Sequence, residues 1–249
     1  MKRLEGKIAL VTGAGAGLGR AISEEYVREG ARVFVSDLDL AAARETCEHI
    51  GGGDAIPLEL DVRRPEQMTA AVAAIGREAG KLDVLVNNAG IIHRADLRHM
   101  DDGQWEDIIA VNLTGAVRAA RQVLDLMRAA GGGSIINLSS IMSIRHLRQT
   151  GAYSTTKAAI SGFSRSLAVE YAPYNIRVNY ICPGYVETAL TRKILRNPAV
   201  RKALLMQTPM GRFTSASDVA KAALFLASDD ALFITGSGLT VDGGMSIAL

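Results

Sequence analysis

Short, nearly unbroken apolar runs recur along the chain at 7–11, 32–36, 55–60, 82–86, 134–138, 177–181 and 238–241. Runs of this length are predicted to be β-strands. Because they do not alternate polar with apolar residues, they are strands covered on both faces. Between them apolar residues recur at helical spacing, predicting helices over 18–30, 39–50, 66–79, 102–130, 152–172, 187–206 and 216–228. Strand and helix alternate throughout. That order predicts a parallel sheet with right-handed crossovers and helices on both faces, a doubly wound Rossmann-type α/β fold. Sheets of this kind bind ligands beyond the carboxyl ends of their strands, so candidate chemistry is sought there.

Composition narrows the reading. At 249 residues and 48% hydrophobic content the chain can bury one large core, and no Pro/Gly/Ser-rich linker divides it, which predicts one domain over 1–249. No apolar run approaches the roughly 20 residues of a membrane span, and the first residues lead into a strand rather than a signal peptide. The net charge is only +2, with no basic block interleaved with aromatics, so neither nucleic acid nor a membrane is an expected partner. Cys47 and Cys182 cannot build a disulfide framework, and no Cys/His cluster has metal-ligand spacing. The expectation is a cytoplasmic protein with two free thiols and no metal.

The first strand runs into Thr12-Gly13-Ala14-Gly15-Ala16-Gly17-Leu18-Gly19, followed by a helix. Glycines at such a turn let the backbone approach a pyrophosphate, and the helix N-terminus offers free N–H groups and a positive dipole end. The spacing is Thr-Gly-x-x-x-Gly-x-Gly rather than Gly-x-Gly-x-x-Gly. The second strand ends at Asp37, eighteen residues beyond Gly19. A carboxylate there can accept from the ribose hydroxyls of NAD and repel the extra phosphate of NADP; capping of the next helix is the structural alternative. Arg20 is the nearby cation. The third strand ends at Asp61-Val62, where an adenine amino group or a helix N-terminus could engage the carboxylate. The fourth ends at Asn88-Ala89-Gly90, a place for cofactor against backbone or a simple turn. Asn112 and Gly115, poor helix-interior residues, predict a kink or a water site inside the helix at 102–130. The sixth strand runs into Pro183-Gly184-Tyr185-Val186, with Thr188 as a helix cap or a nicotinamide contact.

The fifth strand ends at Ser140, and Tyr153 and Lys157 follow on a helix, one turn apart on one face. A tyrosine with an ordinary pKa of about 10 is a poor base at neutral pH, and an ammonium one turn away would favour its phenolate.

Taken together, Thr12-Gly13, Gly17-Leu18-Gly19, Asp61, Asn88-Ala89-Gly90, Asn112, Ser140, Tyr153, Lys157, Pro183-Gly184 and Asp242-Gly243-Gly244 resemble the short-chain dehydrogenase/reductase family over residues 6–244. The resemblance implies a seven-stranded parallel sheet, commonly assembled as a homotetramer. It implies Tyr153 as general acid/base, Ser140 holding the substrate oxygen, Lys157 lowering the tyrosine pKa and binding the nicotinamide ribose, and Asn112 supporting a water-linked proton relay. It further implies a cofactor site, here NAD rather than NADP, made by Thr12, Gly13, Gly17, Leu18, Gly19, Asp37, Asp61, Val62, Asn88, Ala89, Gly90, Tyr153, Lys157, Pro183, Gly184, Val186 and Thr188, with no metal required. The reaction expected is hydride transfer between nicotinamide and a carbinol carbon.

Substrate contacts in this family come largely from the loops after the fourth, fifth and sixth strands. Here those loops supply His93, Arg94, Arg145, His146, Arg148, Gln149, Tyr185 and Arg192, a polar set. It suggests a small polar or anionic alcohol such as a sugar, sugar acid or hydroxy acid, with arginine on its anion. The segment 187–212, rich in Lys and Arg, reads as a flap over that substrate or a solvated helix face. The alternatives are a 3-oxoacyl-thioester reductase on the same fold and, in another class, a catalytically silent dinucleotide-sensing protein.

Overall fold

The computed structural model of the chain describes residues 2–188, 191 and 195–248. Seven strands, β1 (Ile8–Thr12), β2 (Arg32–Asp37), β3 (Ala55–Glu59), β4 (Val84–Asn87), β5 (Gly133–Leu138), β6 (Ile176–Pro183) and β7 (Gly238–Val241), form one sheet in the order β3-β2-β1-β4-β5-β6-β7. All neighbours pair in parallel. The predicted strands lie within a residue or two of the observed ones.

Continuous apolar runs are explained by the sheet's two covered faces. Ala9, Val11, Val33, Val35, Val84, Val86 and Ile136 point to one side. Leu10, Phe34, Leu85, Ile135 and Val178 point to the other. The first face is covered by α1 (Gly17–Arg28), α2 (Leu40–Ile50) and α8 (Ala216–Ala227), through Ile22, Tyr26, Ala43, Val219 and Ala223. The second is covered by α3 (Pro65–Ala79), α5 (Ala116–Ala129) and α6 (Gly151–Tyr171), through Met68, Ile75, Val123, Met127 and Leu167. Each large aliphatic side chain so buried contributes about 1.5–3 kcal/mol relative to exposure.

The helix predicted over 102–130 is interrupted. α4 (Asp102–Ile109) passes into a single π-helical turn, Ala110–Gly115, before α5 begins. Gly115 packs against Val62, where a Cβ would come within 2.7 Å of the valine Cγ2. The predicted helix over 187–206 is described only from α7 (Pro198–Met206), which Asn197 caps.

Strand order reverses between β1 and β4, and the crevice at that switch point is where such a sheet takes a ligand. The ends of β1, β4, β5 and β6 open into it.

Candidate active site

At the switch point the backbones of two loops touch. A Cβ on Gly13 would lie 2.8 Å from Ala89 Cα, and one on Gly19 would lie 2.4 Å from the Gly13 carbonyl oxygen. Gly13 also has φ +62, a conformation that favours glycine. Polar groups then tie the loops together. The Thr12 hydroxyl accepts from the N–H groups of Asn88 and Ala89, both at 3.1 Å. The Asn88 amide donates to the carbonyls of Thr12 (2.9 Å) and Gly13 (2.8 Å). Thr12 and Gly19, expected to touch a cofactor, instead stand behind the cleft wall. Gly13, Gly17, Leu18, Asn88, Ala89 and Gly90 form it. No side chain caps α1 and no acidic residue lies in its first turn. Its free N–H groups and dipole are thus left for an anion.

Asp37 is held beside this loop. Its Oδ2 accepts from Gly15 N–H at 2.9 Å and its Oδ1 from Asp39 N–H at 3.1 Å. The cap of α2 is Asp39, whose Oδ1 accepts from Ala41 N–H at 2.9 Å, so the capping explanation of Asp37 falls away. A carboxylate has about four lone-pair sites, leaving Asp37 able to accept further hydroxyls. Arg20 turns from the loop's outer side to the Gly15 carbonyl (2.7 Å), Glu45 (3.0 Å) and Thr46 (2.9 Å). Asp61 and Val62 depart from expectation. The Asp61 carboxylate is gripped by the Arg63 guanidinium at 2.8–3.1 Å, which holds it below its ordinary pKa, and α3 begins after Arg64 without its help. Val62 is core, packed on Gly115. Neither forms the cleft wall.

The reactive groups converge where β5 and α6 meet. Ser140 lies two residues beyond β5, where it caps a short 3-10 turn (Ile141–Ser143) and accepts from Met142 N–H at 3.1 Å. α6 then presents Tyr153 on its first turn and Lys157 on the next, and all three form the wall of a cavity of about 310 Å³. Burial pushes the Tyr153 hydroxyl up to about 12, against the opposing effects of a hydrogen bond from Ser140 and the charge of Arg94. Lys157 is buried, its Nζ donating to the Leu138 carbonyl at 2.7 Å and lying 5.5 Å from the Tyr153 ring centre. Burial lowers its own pKa to about 8. Ser140 and Arg94 offset part of the rise at Tyr153, the role that the resemblance gives to Lys157.

Asn112 explains the π turn. Its Oδ1 accepts from Ile91 N–H (2.8 Å), and its Nδ2 donates to the Ile91 carbonyl (2.9 Å) and Thr156 Oγ1 (3.2 Å). The amide thus pins the loop after β4 to the helix carrying Tyr153. Thr156 had no signal in the sequence beyond its place between Tyr153 and Lys157.

The expected polar substrate set is only partly brought together. Arg94, Tyr185, Val186 and Thr188 form cleft wall, as do Pro183 and Gly184. His93 points away, with Nε2 at 3.1 Å from Asp107. Arg145 donates to the Met245 carbonyl. His146, Arg148 and Gln149 are exposed and lie outside the wall. Arg192 lies outside the described residues. In the segment 187–212, Arg201 pairs with Glu187 and Arg212 with Asp218, so these cations are spent on neighbours. The wall also has apolar members, Ile92, Ile141 and Met142, which a search restricted to polar residues passes over, and the hydroxyl residues Thr150 and Thr191.

A family profile described as enoyl-(acyl carrier protein) reductase matches residues 13–246. The chain is 39% identical to a cyclopentanol dehydrogenase of Comamonas sp. (strain NCIMB 9872), over 98% of both chains. It is 38% identical to a galactitol 2-dehydrogenase (L-tagatose-forming) of Cereibacter sphaeroides, over 98% of this chain and 97% of the other. Among solved structures it is similar to a 3-ketoacyl-(acyl-carrier-protein) reductase from Brucella melitensis complexed with NADH. That likeness has a TM-score of 0.92 and 34% identity, covering 98% of this chain and 100% of the other.

Proposed function

The chain belongs to the short-chain dehydrogenase/reductase family, and from that premise we propose an NAD-dependent oxidoreductase that interconverts a secondary alcohol and a ketone on a small polar or anionic molecule, such as a sugar, sugar acid or hydroxy acid. The observation that carries this reading is the convergence of Ser140, Tyr153 and Lys157 on one cleft at the sheet's switch point.

The nucleotide end of that cleft fits a dinucleotide: no Cβ can be added at Gly13 or Gly19, and the first turn of α1 is uncapped. Gly13, Gly17, Leu18 and the loop Asn88–Gly90 would hold NAD, which would supply the hydride acceptor for alcohol oxidation and, as NADH, the hydride donor for ketone reduction. Ser140 Oγ and the Tyr153 hydroxyl hold the reacting oxygen. With a pKa of about 12 the Tyr153 hydroxyl is protonated at neutral pH, ready to donate to a carbonyl oxygen. Alcohol oxidation needs the phenolate, so its rate rises with pH. Lys157 Nζ keeps donors beyond the one given to Leu138, available to the ribose hydroxyls. Asn112 fixes the Ile91 backbone beside this lysine and supports the relay that returns the proton to water. Asp37 selects NAD.

The second reading, a 3-oxoacyl-thioester reductase, is favoured by the Brucella relative. That relative is complexed with NADH, so preference for NAD does not separate the two readings; the substrate does. The free thiols Cys47 and Cys182 suit a reducing cytoplasm, and the exposed Val169, Phe233 and Ile247 suit assembly into a homotetramer.

The test is NADH formation at alkaline pH over a panel of sugars, sugar acids, hydroxy acids and simple secondary alcohols. Each is run with NAD and NADP, beside NADH consumption with an oxoacyl thioester. Tyr153→Phe should lower kcat by roughly 10²–10⁴-fold while NADH still binds. An unchanged rate would remove the proton-transfer role, and a chain that binds NADH but turns over nothing on the panel would be a silent sensor.

A further inference from the structure

We infer that Arg94 and Tyr185 form an anion-holding subsite beside Ser140 and Tyr153, and that the substrate is a short hydroxy acid whose carboxylate this pair binds. The inference rests on the oxidoreductase reading and narrows its substrate to one chemistry.

Tyr185 is only 5% exposed, and its hydroxyl proton has no acceptor among the described residues, since Arg94 beside it can only donate to the phenol oxygen. The ring cannot swing to find one. It is packed among Ile141, Met142, Leu204 and Met245, with the Phe213 ring centre 6.4 Å away. A buried hydroxyl proton left without an acceptor is costly, so its lasting presence in a cleft wall points to a ligand. Beside it stands Arg94, which makes no ion pair among the described residues and whose charge acts on the hydroxyls of both Tyr185 and Tyr153.

Donor and acceptor bookkeeping decides the ligand. A guanidinium has donors and no acceptor, so Arg94 cannot take the Tyr185 proton. The Tyr185 oxygen can accept from Arg94, which leaves the hydroxyl proton and the other guanidinium hydrogens to a ligand. A carboxylate, with two acceptor oxygens, takes one from each and supplies the counter-charge Arg94 lacks. No Asp or Glu forms the cleft wall to oppose that anion. Ile92, Ile141 and Met142 give the wall an apolar stretch that suits a short carbon chain. Because Arg94, Tyr185, Ser140 and Tyr153 all form the wall of one cavity of about 310 Å³, the carboxylate and the reacting oxygen lie within one small molecule, a 2- or 3-hydroxy acid.

The experiment compares 2- and 3-hydroxy acids with their amides, which keep the carbinol and lose the charge. Wild-type protein, Arg94→Gln and Tyr185→Phe are assayed with NAD. Wild-type kcat/KM should favour acid over amide by at least about tenfold. Arg94→Gln should cut that ratio by roughly 10–100-fold, the range of one charged hydrogen bond, and Tyr185→Phe by roughly three- to tenfold, mostly through KM. Equal use of acid and amide by the wild type, or a ratio unmoved by Arg94→Gln, overturns the subsite while leaving the oxidoreductase reading standing. Should no alcohol on the panel react, titrating propanoate into the protein–NADH complex still decides. Binding weakened about tenfold or more by Arg94→Gln supports the subsite, and binding that is absent or indifferent to Arg94 overturns it.

Discussion

The two ends of the cleft are built on opposite rules. At the nucleotide end the side chains that shape the loops are already tied: Thr12 with the Asn88 and Ala89 amides, Asn88 with two carbonyls, Asp37 with Gly15 and Asp39, while the first turn of α1 and the spare lone pairs of Asp37 stay open. At the substrate end the buried Tyr185 hydroxyl has a proton that no group among the described residues accepts, and the exposed Arg94 has no carboxylate partner among them. The first arrangement fixes a backbone shape before anything binds, which cuts the ordering cost of binding. The second stores unmet hydrogen bonds that only the right ligand meets, which is how a site discriminates. Rigidity serves a cofactor common to many reactions, and unmet donors serve the choice of substrate.

The sharpest way to break the contrast is to disturb the preformed end. Gly19→Ala places a methyl group 2.4 Å from the Gly13 carbonyl oxygen and 2.6 Å from Asn88 Nδ2. The nearest atom is backbone, so the loop must move. NADH affinity, read by fluorescence titration, should fall by 100-fold or more on the order of 3 kcal/mol, with a lowered melting temperature. Gly17→Ala is the control. It is strained by its φ of +58, but its nearest neighbour is a Thr188 methyl at 3.5 Å, so it should cost less NADH affinity than Gly19→Ala. Equal losses would mean that conformation rather than close approach governs this end.

Asp37 gives a smaller effect, because it both ties and selects. Asp37→Ala removes the partner of Gly15 N–H as well as the charge that would meet a 2′-phosphate. NAD use should fall, and the ratio of kcat/KM for NADP over NAD should rise by roughly 10–100-fold. A fall for both cofactors without a change in their ratio would leave Asp37 a structural tie alone.

The two ends also differed in how well the sequence exposed them. The fold was legible because strands covered on both faces are written as continuous apolar runs, and because glycines such as Gly13 are needed wherever two backbones meet. Ser140, Tyr153 and Lys157 were legible because a strand end and a helix turn fix their direction. The polar substrate set was not, since spacing within a loop says nothing of where side chains point. His93 found Asp107 and Arg145 found the Met245 carbonyl, partners remote in sequence that only the folded chain supplies. The partner of Asp61 is local by contrast, for Arg63, two residues on, binds its carboxylate. The π turn at Ala110–Gly115 had a signal in Asn112 and Gly115, but its purpose, pinning Ile91, lay in the tertiary structure.

Lys157 stands where the ends join, and it yields the smallest and most diagnostic effect. Its folded pKa is lowered by burial from 10.5 to about 8. Between those values the unfolded chain holds a proton that the folded chain has released, so stability rises with pH across this window. Tyr153 acts oppositely, but only from about 10 to about 12, where its raised pKa makes the folded state hold the extra proton. Burial also raises Cys47 and Cys182 above their ordinary values, which lowers stability as pH rises in this range. Urea unfolding of the cofactor-free protein at pH 7 and pH 9.5 therefore singles out the lysine through the difference between wild type and a lysine variant. The wild type should gain about 2 kcal/mol relative to Lys157→Met over that interval, at 1.36 kcal/mol for each pH step above 8. Saturating NADH should flatten the rise if ribose hydroxyls accept from Nζ, because they favour the charged amine. Parallel profiles for wild type and variant would mean that the Leu138 carbonyl alone satisfies the lysine, which would place Lys157 with the tied groups rather than with those awaiting a ligand.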